Sequence, residues 1–260
     1  MARAAITSLI VVCLAGPLVA QRAAASEKVP VTIRGKAFVL ELYRPAQATP
    51  KGTILMGSGD VGWVGLAVDL AGFLSGQGYA VVGINSRQYL STFTSGASHV
   101  TPDQVAGDYA VIVQRLREGQ TLWAPVVVAG VSEGAALAVL AGAMTNHAWI
   151  AGLITIGLPP SAELAWRWRD ALSWVTRRDS SEPSFQPRFF IGGVSPVPLW
   201  MIQSTKDEYV TEADYRAIEN AARPPKRLVL VDAGNHRFTD RLPILRQHVV
   251  AGLEWIRNPH

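Results

Sequence analysis

Residues 125–144 read PVVVAGVSEGAALAVLAGAM, and this stretch decides the fold. Pro125 to Val131 is a short, continuously apolar, β-branched run, the pattern of a strand buried on both faces. Gly130-Val131-Ser132-Glu133-Gly134 follows at once, and Ala135 to Met144 is a run of small and apolar helix formers. The arrangement reads strand, sharp turn, helix, with Ser132 at the apex. Small residues flank a tight turn of this kind because the backbone has no space for side chains there, and the helix N-terminus beyond it favours developing negative charge.

Working outward, the apolar runs Thr53 to Met56, Tyr79 to Ile84, Ile150 to Ile156, Val197 to Ile202 and Arg227 to Val231 alternate with helical stretches. Continuous apolar strands separated by helices imply a mostly parallel central sheet with helices on both faces. Before them, Val31 to Arg34 and Phe38 to Tyr43 flank Gly35 and predict an N-terminal antiparallel hairpin. Thr101, Pro102 and Gln104 form a capping-box start, after which Val105, Tyr109, Ile112 and Leu116 share one helical face. Leu245, Val249, Leu253 and Ile256 repeat that pattern in the last helix. Between residues 157 and 196 the rhythm breaks into an excursion carrying Trp166, Trp168 and Trp174 among Arg167, Arg169, Arg177 and Arg178, expected to form a helical lid.

With 260 residues, 49% hydrophobic and 17% charged, the chain has the composition of one large-cored domain, which excludes a disordered chain. The formal charge of +4 is small and not gathered into a run, so nucleic acid is not an expected partner. Met1 to Ala25 has Arg3, an apolar run from Ile6 to Ala20 and then Ala23 to Ala25, the order of a secretory signal. That run, interrupted by Gly16 and Pro17, is shorter than the roughly 20 residues a spanning helix needs. Cleavage after Ala25 would remove Arg3, Arg22 and the single cysteine, Cys13, leaving residues 26–260 as a thiol-free domain of net charge +2, periplasmic or secreted.

A serine hydroxyl needs a base and an orienting acid to act as a nucleophile, in the chain order Ser, Asp or Glu, His for this topology. His236, in the loop Asp232-Ala233-Gly234-Asn235-His236 after the last strand, is the expected base. Asp207, following the strand Val197 to Ile202, is the expected acid, with Asp232 as runner-up and Glu208 behind it. Gly57-Ser58-Gly59-Asp60-Val61-Gly62 follows another strand. In a hydrolase its Ser58 or Gly59 backbone N–H joins that of Glu133 as an oxyanion hole. The same string matches G-x-G-x-x-G, and Ser86-Arg87 would then suit a 2′-phosphate, but a dinucleotide reading leaves Ser132, Asp207 and His236 unexplained. No cofactor is required for acyl transfer, and no metal-ligand spacing is present in the sequence.

These residues resemble the α/β-hydrolase superfamily along the mature length, and more narrowly the bacterial VirJ/AcvB virulence-protein family. The likeness is carried by Gly57-Ser58-Gly59-Asp60-x-Gly62-Trp63, Gly78-x-Ala80-Val81-Val82-Gly83, Ser86-Arg87, Thr101-Pro102, Asp108 and the Ser132 turn. It implies a periplasmic serine hydrolase acting on aminoacyl esters of phosphatidylglycerol, with a general carboxylesterase or lipase, and a non-catalytic binding protein of the same fold, as alternatives. The elbow departs from the family pattern at Val131, Glu133 and Ala136, where Tyr, Phe and Asp are usual, and Ser86 to Leu90 replaces a Leu-Arg-Tyr-Phe-Trp string. For such a substrate, Asp60 or Glu133 would receive the aminoacyl ammonium. Trp166, Trp168 and Trp174 of the lid would meet lipid at the headgroup level.

Overall fold

A computed structural model describes residues 26–144, 147–167 and 182–259. The chain opens with β1 (Glu27–Ile33) and β2 (Lys36–Tyr43), an antiparallel pair closed by Arg34 and Gly35, both at positive φ (47° and 75°). Two positive-φ residues match the twist of the flanking strands, which is why Gly serves here. Then follow β3 (Thr53–Gly57), α1 (Leu66–Gly76), β4 (Ala80–Ile84), α2 (Ser86–Phe93), α3 (Pro102–Glu118), β5 (Val126–Val131), α4 (Glu133–Met144) and β6 (Gly152–Ile156). The insertion contributes the short pair β7 (Ala162–Glu163) and β8 (Ser184–Phe185), and the chain ends with β9 (Leu199–Ser204), α5 (Glu212–Ala221), β10 (Lys226–Val231) and α6 (Leu242–Arg257).

Eight strands form one sheet in the order β1-β2-β4-β3-β5-β6-β9-β10, parallel throughout except where β2 meets β1 and β4. β3, at the centre with β5, is buried along its length, as the continuous apolar run requires. Alternate residues of each strand feed two cores. Leu55, Val82, Val128, Leu153 and Met201 pack with α3 and α4 on one face. Ile54, Val81, Val127, Ile154 and Ile202 pack with α1 and α6 on the other. Burying a Leu or Val side chain contributes about 1.5–3 kcal/mol, so helices carrying their apolar stripes against both faces anchor the sheet. Val105, Tyr109, Ile112 and Leu116 are buried as their spacing predicts, and so are Leu245, Val249, Leu253 and Ile256.

Two details differ from the sequence reading. β9 begins at Leu199 instead of Val197, because Pro196 and Pro198 have no N–H to give to a ladder. The eight-residue α2 is too short and too polar for periodicity to reveal; its start is set by Asn85, whose side chain accepts the Gln88 N–H at 3.1 Å. The helical lid expected between residues 157 and 196 falls in part outside the described residues; those described show the β7–β8 pair and two 3-10 turns, Pro187–Phe189 and Ile191–Val194. Trp168 and Trp174, with Arg169, Arg177 and Arg178, lie outside the described residues.

Candidate active site

The turn between β5 and α4 is held by three glycines. A Cβ on Gly134 would lie 2.3 Å from the Gly57 carbonyl carbon, and one on Gly130 would lie 2.2 Å from the Gly134 carbonyl carbon. The elbow is thus wedged between the ends of β5 and β3 with no room for a side chain at those positions. Ser132 takes φ 51°, a conformation that costs a non-glycine residue about 1–3 kcal/mol and persists only where the surroundings enforce it. Here its N–H is given to Ile156 O at 2.9 Å and its carbonyl accepts Ala135 N–H at 2.8 Å, fixing it between the end of β6 and the start of α4.

Asp207 follows β9 and is fully buried as a side chain. Its Oδ1 accepts the backbone N–H groups of Tyr209 (2.9 Å) and Val210 (3.1 Å). Its Oδ2 accepts Gln203 Nε2 at 2.8 Å and lies 2.6 Å from His236 Nδ1. Three neutral donors and one imidazole satisfy the carboxylate, as a buried charge requires. The His236 loop is tied down separately: its backbone N–H donates to Glu208 Oε2 at 2.7 Å, and the Tyr209 ring stands edge-on to the imidazole at 5.4 Å. The ring lies over Gly157, where a Cβ would approach its Cε1 to 2.9 Å. Gly157 directly follows Ile156, the residue that binds Ser132, so Ser132, His236 and Asp207 converge at the ends of β5, β6 and β9.

Asp232 points elsewhere. It is exposed, paired with Lys206 at 2.9 Å and with the Thr205 hydroxyl at 3.2 Å, and those partners hold its carboxyl below the usual carboxylate range. Glu208 acts on the backbone of the histidine loop and not on its ring. Gln203, absent from the sequence reading, left a signal: a lone amide inside an apolar strand, four residues before Asp207.

The Gly-rich loop curls beside the elbow. A Cβ on Gly59 would sit 3.7 Å from Ser132 Cβ, and α1 begins only at Leu66. A dinucleotide loop opens its helix directly, so this geometry speaks against that use. Of the expected oxyanion donors, Ser58 is corrected: its N–H is given to Ile84 O at 3.0 Å, continuing the β3–β4 pairing. Its hydroxyl and carbonyl both bind Ser86, making Ser58 a fully buried brace between two loops. Gly59 N–H and Glu133 N–H have no intramolecular acceptor among the described residues.

Glu133, next to Ser132, is buried, and its Oε1 accepts Glu163 N–H at 2.8 Å. Burial, and then the nearby Glu163 and Asp60 carboxyls, push its pKa well above the usual range. Asp60 is raised too, by burial, with the Val61 N–H, His236 and Arg237 pulling the other way. Trp166 is half-buried against the core with the Arg87 guanidinium 4.3 Å above its ring, so it packs as part of the body. Among the described residues no group of three His, Cys, Asp or Glu side chains is placed to hold a metal ion, and no helix is long and apolar enough to cross a membrane.

Residues 52–148 match the family model described as bacterial virulence protein (VirJ). No curated protein matches the sequence. In structure the chain is similar to the esterase domain of a Rhodothermus marinus protein, at 18% identity over 89% of this chain and 98% of that one, with a TM-score of 0.62. It is similar to Est1E from Butyrivibrio proteoclasticus (14% identity, 88% and 98% covered, TM-score 0.64). An alpha-beta serine hydrolase homologue from Coxiella burnetii shows the same likeness (17%, 88% and 98%, 0.59). Identities this low speak to the fold alone. The chain is therefore VirJ-like over residues 52–148 and is built on the α/β-hydrolase fold.

Proposed function

We propose that the protein is an exported serine hydrolase that cleaves a carboxylic ester through an acyl-enzyme on Ser132. The observation that carries this reading is the buried Asp207–His236 pair, set over Gly157 at the strand end that also binds Ser132. His236 removes the Ser132 hydroxyl proton as the oxygen attacks the ester carbonyl. The tetrahedral oxyanion is met by the Gly59 and Glu133 N–H groups, and the alcohol leaves with the proton His236 holds. Water, deprotonated by His236, then attacks the acyl-serine, releasing the acid and restoring Ser132. Asp207 keeps the imidazole in one tautomer and stabilises the imidazolium. No step needs a cofactor.

The VirJ match and the family likeness favour an aminoacyl ester of phosphatidylglycerol as substrate. An aminoacyl ammonium beside the carbonyl would meet Asp60 and Glu133, which stand near each other, with Glu163 beside Glu133 and with His236 and Arg237 beside Asp60. The test has two arms. A fluorophosphonate probe should label wild type at Ser132 and leave Ser132→Ala blank; an unlabelled wild type points to a binding protein. Wild type should release lysine from lysyl-phosphatidylglycerol vesicles. A labelled enzyme that hydrolyses only soluble short-chain esters is a general carboxylesterase instead.

A further inference from the structure

Ser58 and Ser86 are both fully buried, and they exchange two hydrogen bonds. The Ser58 Oγ accepts the Ser86 N–H at 3.1 Å, and the Ser86 hydroxyl donates to the Ser58 carbonyl at 2.7 Å. Ser86 is the first residue of α2, so its N–H is one of the helix-end donors that find no partner inside the helix. α2 is itself seated in the core by Tyr89, Leu90 and Phe93. The brace therefore ties the Gly-rich loop to an element fixed by packing.

The second of these bonds reaches the nucleophile through the covalent structure of the chain. The Ser58 carbonyl and the Gly59 N–H are the two ends of one peptide unit, which is trans and planar, so they point in opposite directions. Whatever holds the carbonyl thus aims the N–H. The same Ser58 oxygen abuts Gly134, where a Cβ would stand 2.5 Å from it. On its other side, Gly59 is held by its own carbonyl, which accepts the Gly62 N–H at 3.0 Å and the Ser58 hydroxyl at 3.1 Å. Glycine has no Cβ to restrict φ and ψ, so an unanchored peptide at Gly59, beside Ser132, would have wide freedom to rotate.

We infer that Ser86 is a positioning residue for the oxyanion hole: its hydroxyl, by holding the Ser58 carbonyl, aims the Gly59 N–H at the oxygen that becomes negative when Ser132 attacks. This rests on the hydrolase reading and adds to that site a residue that acts only through the backbone of another. Donors fixed before the reaction stabilise a developing oxyanion most, because no reorganisation is left to the transition state. The Glu133 N–H is held separately, by the start of α4.

Two variants test this: Ser86→Ala leaves the Ser58 carbonyl without its donor, and Ser86→Thr keeps a hydroxyl there. In Ser86→Ala, kcat for a chromogenic short-chain ester should fall about 10- to 10²-fold, approaching the cost of losing one oxyanion donor, with KM near wild type. A trifluoromethyl ketone with the same acyl group takes the Ser132 oxygen onto its carbonyl carbon, the carbonyl oxygen gaining the negative charge and His236 the proton, so its inhibition constant should rise by the same factor. Ser86→Thr should recover both. A brace that serves only stability predicts a lower denaturation midpoint with kcat and ketone affinity kept, and that result overturns the inference. Crystal structures of both variants read the peptide directly. The Ser58–Gly59 unit should turn, or spread over two orientations, in Ser86→Ala and keep its orientation in Ser86→Thr; an unturned peptide in Ser86→Ala overturns the inference whatever the kinetics. A threonine variant that loses activity must show the turned peptide as well, or the inference falls. A wild type that neither turns over esters nor takes a fluorophosphonate sinks the hydrolase reading, while the crystal structures still decide whether Ser86 aims the Gly59 N–H.

Discussion

The carboxyl of Glu133 accepts the backbone N–H of Glu163 at 2.8 Å, so the residue after Ser132 also holds the first strand of the insertion. β7 is pinned from other directions as well, by Leu164 N–H to Pro183 O and Val100 N–H to Leu164 O, which makes the root of the insertion a fixed wall of the site.

Glu133 dictates a pH dependence of stability. Its pKa is raised on folding by burial and by the Glu163 and Asp60 carboxyls, so the folded chain binds its proton more tightly than the unfolded one. The associated stability is complete below the ordinary glutamate value of 4.5 and is lost as pH rises through the higher folded value. Glu133→Gln keeps an acceptor for Glu163 N–H and removes the titration. Chemical denaturation from pH 4 upward should show wild type losing stability relative to the variant, with Asp60, raised in the same direction, leaving a residual slope. Parallel curves would mean Glu133 is ionised in the fold.

The three residues at the strand ends should act as one unit. Ser132→Ala and His236→Ala should each lower ester turnover by several orders of magnitude, and the double variant should add little, as groups sharing one mechanism are strongly non-additive. Steady-state kinetics with a chromogenic ester reads this directly.

Asp207 and Asp232 should separate cleanly. Asp207→Asn leaves the imidazole without its charged partner and should cost about 10⁴-fold in kcat, as in the general triad case. Asp232→Asn touches only Lys206 and Thr205 and should stay near wild type. The reverse ranking would transfer the acid role to Asp232.

Gly157→Ala probes the seat of the histidine. The new Cβ would stand 2.9 Å from His236 Cε1 at a residue with φ 61°, so the ring must move from Asp207. The variant should fold, lose at least about 10²-fold in turnover as expected for displacement by an ångström, and still react slowly with fluorophosphonate. Wild-type kinetics would show that the ring is not held where the structure places it.

Export makes a prediction that intact mass decides. Protein recovered from the periplasm should begin at Ser26 and contain no thiol, because Cys13 lies in the expected signal. A full-length chain in the membrane fraction would make residues 6–20 an anchor.

The alternation of apolar runs with helical stretches was enough to read a parallel sheet with a leading hairpin, because a strand buried on both faces must be apolar throughout. Gly130 to Gly134 marked the elbow by itself, since only glycine survives backbone contacts as close as those between residues 57, 130 and 134. That Ser132, Asp207 and His236 each follow a strand, in the order the proposed chemistry needs, was legible for the same local reason. What pattern alone left open was the outcome of packing between segments distant in sequence. Asp207 and Asp232 both end strands, and only the pairing of β9 with β10 decides that one turns inward to His236 while the other meets Lys206 in solvent. Ser58 and Gly59 are adjacent, and only the β3–β4 ladder assigns the Ser58 N–H to Ile84. The Arg87–Trp166 stack joins residues 79 positions apart, which no local periodicity encodes. Local sequence specifies elements because backbone propensities and glycine sterics act over a few residues, whereas the direction of a side chain depends on which buried donors and charges the finished fold brings within hydrogen-bonding distance.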